Sequence, residues 1–217
     1  MEKTLLNVNS SYYFSMNTQQ QLLSTITKFD LNQTKFYQAW SAGTLSDEAL
    51  KCYVNEYGNF IGQLAKGWIT VGDQAQAQIE ETHYNIWQDD FCRALEVKIT
   101  EVALPAIADL ITTAESMFSH KTEALWALYI FIAQQASTSK SKIEGLQKHY
   151  SLPSFSKSYF EEHLGSDILA DKLLKMIETL TPEEQKEVVA AANIFGEKIF
   201  FALEGIYDAY SPADCVL

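Results

Sequence analysis

Residues that break regular structure are scarce in this chain, with 4 Pro and 9 Gly among 217. Strand-like alternation of apolar and polar residues is nearly absent as well, which excludes a sheet as the organising element. Basic residues are outnumbered: 16 Lys and Arg against 28 Asp and Glu give a net charge of −12, and no basic run occurs. That balance excludes recognition of a nucleic-acid backbone or an anionic membrane surface. No uninterrupted apolar segment approaches membrane length, and the N-terminus joins no basic region to an apolar run. The three cysteines, Cys52, Cys92 and Cys215, form no C-x-x-C pair and are odd in number, so they read as reduced, buried thiols of a cytoplasmic protein.

What is there is helix. Apolar residues recur at three- and four-residue steps, the period of a helix with one buried face. Asn17 is placed to cap "TQQQLLSTITKF", and a second helix runs from near Asn32 through Phe36, Tyr37 and Trp40 to a stop at Gly43. A third begins at the capping residue Ser46 and carries Leu50, Tyr53, Val54, Tyr57, Ile61, Leu64 and Trp68 as one continuous stripe. Further helices are expected over residues 74–97, 101–117, 121–149, 156–179 and 182–209, the last with Pro182 at its first position behind Thr181. The expectation is an all-α, single-domain bundle of seven or eight helices over residues 17–210, with an N-terminal segment 1–16 and a C-terminal tail 211–217.

Two short motifs carry the chemistry. Glu80 and His83 form an E-x-x-H step, the i, i+3 pairing by which helical bundles present a carboxylate and an imidazole to one metal. In "YFEEHLGSDILADK", His163 and Asp167 stand four apart, and on a continuous helix they would share a face, with Ala170 next along it. Each has a plain alternative, a solvated face for the first and a histidine–carboxylate pair satisfied without metal for the second. His120 and His149 fall at helix junctions and read as surface or capping residues.

The segments "FYQAWSAGTLSDEALKCYVNEY", "HYNIW", "ALYIFIAQQASTSKSKIEGLQKHY" and "YFEEHLGSDILADK" together resemble the haem-oxygenase-like helical fold. That superfamily includes TenA/thiaminase II and pyrroloquinoline-quinone synthase, and the pattern is similar above all to the CADD-like branch, called after the Chlamydia protein associating with death domains. The resemblance runs from about residue 34 to 180. It implies a non-haem dimetal oxidase that binds iron or manganese through carboxylates and histidines, activates dioxygen and forms a homodimer. In the CADD-like branch the protein's own side chains are thought to supply material for para-aminobenzoate.

Carried over residue by residue, the resemblance implies metal ligands at Glu80, His83, His163 and Asp167. The branch's H-x-x-x-D-x-x-H motif ends here on Ala170 instead of histidine, and a mid-chain ligand glutamate falls on Ile132. The chain between Trp68 and His83 is shorter than the family pattern, so the first glutamate is either Glu80 or Glu81, with Glu80 preferred for its helical spacing. Tyr37, Tyr53 and Lys142 match residues associated with the self-sacrificing chemistry. The two tyrosines serve equally well as core aromatics, and Lys142 as a surface lysine.

Four ligands fall short of the roughly six that a dinuclear carboxylate site uses, and suit one metal with open positions. A thiaminase II activity is not expected, because "ALWALYIFIAQQAS" lacks the mid-bundle cysteine, and no haem is expected, because no histidine precedes His83. No nucleophile elbow or Gly-rich phosphate loop occurs. The 11 Tyr, 12 Phe and 4 Trp could line a pocket for a small apolar or aromatic molecule or build a dimer face, though core packing also explains them. Two functions therefore stand side by side: a metal-dependent oxidase, and a non-catalytic ligand-binding or protein-interaction module on the same fold.

Overall fold

The computed structural model describes residues 17–210. The expected segments 1–16 and 211–217, and with them Cys215, lie outside the described residues. Every element within them is helical: α1 (Thr18–Lys28), α2 (Lys35–Ala42), α3 (Asp47–Ile61), α4 (Leu64–Val71), α5 (Gln74–Ile86), α6 (Pro105–Met117), α7 (Lys121–His149), α8 (Ser158–Glu162), α9 (Asp167–Glu178) and α10 (Pro182–Tyr210). Seven of them, α1, α3, α5, α6, α7, α9 and α10, have eleven residues or more and carry the bundle. The all-α bundle read from the sequence is what the described residues form.

Local chemistry sets the helix ends. The Asn17 side chain accepts from the Gln20 N–H while the Gln20 side chain accepts from the Asn17 N–H, a reciprocal box that satisfies two free donors. Thr181 and Glu184 repeat that box at the start of α10. Ser46 caps α3, and Gly43 ends α2 at φ 69°, a left-handed position where a side chain is strained. α6 opens on Pro105 without a capping side chain of its own. A buried carboxylate substitutes: Glu56 of α3 accepts from the Ala103 and Leu104 N–H groups at 3.0–3.2 Å.

α7 is the axis of the molecule. Residues 124–132 are buried without interruption, so this stretch has no solvent face and must be surrounded. It packs against α10, α9, α4 and α2. Cys52 and Cys92 are free and buried in this core. Among the described residues no helix is long and apolar enough to cross a membrane.

Three expected helices are not continuous. The stripe from Ser46 to Trp68 is cut at Gly62–Gln63 into α3 and α4, and residues 87–92 form a π-helical turn after α5. The segment 156–179 is interrupted by a turn over residues 163–166 between α8 and α9. That last break relocates a residue of the site.

Candidate metal centre

One side of α5 buries a polar stripe. Gln76, Glu80 and His83, spaced four and three apart, are buried with Ala77, while Gln78, Ile79, Glu81 and Thr82 are exposed. Of the two candidate glutamates, Glu80 faces the interior, whereas Glu81 faces outward and takes a hydrogen bond from Gln78. Opposite the stripe stands His163, the residue that ends α8 and is 2 % exposed. One donor atom from each of Glu80, His83 and His163 lies within 4.8 Å of the other two.

His163 is held in the manner of a ligand. Its Nδ1 lies 2.6 Å from the Tyr159 carbonyl, one helical turn back, which requires the ring proton on Nδ1. Its Nε2 therefore carries a bare lone pair, buried and without a hydrogen-bond partner. Burial, and then the neighbouring His83, push the His163 pKa down to about 4, so the ring is neutral at physiological pH. His83 packs against it with ring centroids 4.5 Å apart, and its Nδ1 is also buried and unpartnered, 3.5 Å from Glu80 Oε2 without hydrogen-bond alignment. Burial opposes the charge on Glu80, but the two histidines and the Gln76 amide outweigh it and keep the carboxyl below its ordinary pKa.

Asp167 is not in this group. His163 and Asp167 would share a face only on a continuous helix, and the turn over 163–166 separates them, leaving Asp167 exposed at the start of α9. Ile132 and Ala170 are buried apolar residues. Two imidazoles and one carboxylate, with orphaned nitrogens and restricted water, are a donor set that fits one iron or manganese ion with open positions. Of the other positions at which the resemblance implies ligands, Ile132 and Ala170 are apolar and Asp167 is turned to solvent.

Beside the triad lies a small cavity of about 10 Å³ whose walls include Tyr37, Tyr53, Tyr57, Gln135, Lys142 and Tyr159. Tyr159 joins the two places: its ring is 4.4 Å from that of His163. The hydroxyls of Tyr37 and Tyr53 are 3.5 Å apart, whereas those of Tyr57 and Tyr159 are buried without partners. Burial raises all four phenol pKa values well above 10. Lys142 is not the surface lysine its spacing allowed. It is buried, with Nζ 4.7 Å above the Tyr37 ring and 5.0 Å from that of Phe160, and burial lowers its pKa to about 7.

Sequence reasoning did not single out Gln76, Tyr57 or Tyr159. Gln76 and Tyr159 each stand four residues before a member of the triad, a signal available once the triad is known. His120, at the start of α7, is largely exposed, and His149 ends the same helix against Gly43, as junction residues should be.

The fold class is that of haem oxygenase. A domain with a heme oxygenase-like fold from Shewanella denitrificans superposes with a TM-score of 0.73 over 92% of this chain and 97% of that one, at 16% identity. A TenA homologue from Pseudomonas syringae pv. tomato gives 0.73 over 87% and 92%, also at 16% identity. A CADD-like protein from Nostoc punctiforme gives 0.67 over 92% and 97%, at 19% identity.

By sequence the chain is 28% identical over 227 residues to the 4-aminobenzoate synthase of Nitrosomonas europaea, covering 88% of this chain and 91% of that protein. It is 24% identical over 225 residues to the 4-aminobenzoate synthase of Chlamydia muridarum, covering 93% of each. No protein-family model matches the chain.

Proposed function

We propose that this chain is a metal-dependent oxidase that acts on its own interior to supply material for 4-aminobenzoate. Glu80, His83 and His163 would hold one iron or manganese ion, and the ion, when bound, supplies activation of dioxygen. The observation that carries the reading is the state of His163, with Nδ1–H fixed on a carbonyl and a neutral, unpartnered Nε2, in a residue one of whose ring nitrogens lies within 4.8 Å of donor atoms of Glu80 and His83.

The remaining residues have roles that follow from their surroundings. The buried walls limit water around the oxidisable groups. Tyr159 stands between triad and cavity, in contact with His163. Tyr37 holds its phenol against the Tyr53 hydroxyl and its ring under Lys142. Lys142, with a pKa of about 7, offers a substantial fraction of free amine at neutral pH, the form that acts as a nucleophile or takes up a proton. An aromatic ring and an amine nitrogen, two of the three components of an aminobenzoate, are thus in contact. Likeness to two 4-aminobenzoate synthases over most of the chain supports the same assignment.

The test is metal content by inductively coupled plasma mass spectrometry, on protein purified without chelator and again after anaerobic loading with ferrous iron. About one ion per chain is expected for a site of three protein ligands, lost in His83→Ala and His163→Ala and retained in Asp167→Ala. Absence of metal under both conditions would overturn the oxidase. It would favour the second reading, a non-catalytic binding or interaction module, for which the apolar residues Ile132 and Ala170 already speak.

A further inference from the structure

Gln76 is 6 % exposed and lies one helical turn before Glu80. Its Nε2 donates to Glu80 Oε1 at 3.1 Å. The identity of that nitrogen is fixed by chemistry, because an ionised carboxylate offers nothing for the amide oxygen to accept. The two oxygens of Glu80 are therefore unequal: Oε1 is engaged by the amide, and Oε2 is the oxygen turned to His83. Gln76 is itself anchored, since its backbone N–H donates to Asp73 Oδ1 at 3.2 Å, and Asp73 is paired with Lys172 of α9.

We propose that Gln76 is a positioning residue that makes Glu80 a one-oxygen ligand of a single metal ion. The proposal rests on the metal-binding reading above and deepens it. A carboxylate free to rotate can chelate one ion with both oxygens or bridge two ions. One whose second oxygen accepts from a buried amide has its plane fixed and one lone pair of that oxygen committed, so chelation or bridging through it competes with the hydrogen bond. The same bond keeps the carboxylate plane fixed before metal arrives, which favours binding over reorganisation.

The test uses cobalt(II), whose d–d absorption weakens as its coordination number rises, titrated into the full-length metal-free protein and its Gln76→Leu variant. Wild type is expected to saturate at about one cobalt per chain. Q76L is expected to bind roughly 10–100-fold more weakly, with a weaker d–d band because the released Oε1 joins the coordination sphere. Circular dichroism checks folding, and Gln76→Met serves if the leucine variant does not fold. Saturation of wild type at two ions would overturn the proposal, and so would a variant with wild-type affinity. A variant that loses affinity with an unchanged spectrum would also overturn it, since loss of stability alone does that. No cobalt binding by wild type would overturn the metal reading itself, which separates the two failures.

Discussion

Lys142 is a cation placed where cations are costly. Two aromatic faces flank its ammonium, no carboxylate pairs with it in the described structure, and its pKa falls from 10.5 to about 7. In the unfolded chain the amine keeps its proton up to about pH 10.4. Between pH 7 and that value the unfolded state binds more protons than the native state, so stability contributed by this residue rises with pH across the window. Lys142→Met, which keeps length and removes the charge, is expected to stabilise the protein at pH 7 by on the order of 2 kcal/mol, or several degrees in Tm. It should also flatten the rise in Tm between about pH 7 and 9, which thermal unfolding across a buffer series would read. A destabilised variant would mean that the amine's contacts outweigh its desolvation. The burial of Lys142 was not legible in "STSKSKIEGL", where a lysine amid serines resembles a surface position. Glu80 and His83 were legible, because they occupy one uninterrupted helix and their spacing survives folding. Asp167 was not, because its pairing with His163 assumed a helix that "HLGS" ends.

At the scale of elements, helix packing is set as much by what is missing as by what is present. On α7, Gly145 lies against Trp40 of α2, and a Cβ there would stand 2.5 Å from Trp40 Cδ1 and 3.2 Å from the Trp40 carbonyl. The Trp40 indole also donates to the Lys142 carbonyl at 3.1 Å, which leaves the ring little freedom to withdraw. Gly145→Ala gains helix propensity but should still destabilise by about 1–3 kcal/mol through overpacking, measurable by urea unfolding. Helix starts and stops that depend on neighbours in sequence, such as Asn17, Gly43 and Ser46, could be read directly. The break at Gly62–Gln63 could not, because both residues keep right-handed dihedrals and the apolar stripe passes through them unaltered. The π-helical turn at 87–92 is equally silent, since it uses residues that any buried helix would use. Glu56 caps α6 from 47 residues away, a long-range bond with no local signature.

For the whole molecule, the fold class followed from period and composition, whereas the route of the nine other described helices around α7 did not, since it depends on contacts distant in sequence. One hydrophobic core joins those helices, and the triad draws its residues from α5 and from the end of α8. An ion bound there ties elements separated by about 80 residues and favours only the folded state. Ferrous iron at about 100 times its dissociation constant should therefore stabilise the protein by about 2.7 kcal/mol, roughly 5–10 °C in Tm. The shift should appear in anaerobic differential scanning fluorimetry of wild type and be absent in His163→Ala.

The cavity among the tyrosines also bears on supply in the cell. A space of about 10 Å³ admits about one water molecule and no free aromatic compound. Under the proposed reaction, then, the oxidised atoms belong to the wall, and a chain that has reacted once has no second lysine lining that cavity to present. Such a protein is a stoichiometric reagent: output is capped by copy number and governed by translation rather than by turnover. Yield of product per chain synthesised, instead of a rate per active site, is the quantity that would describe its work.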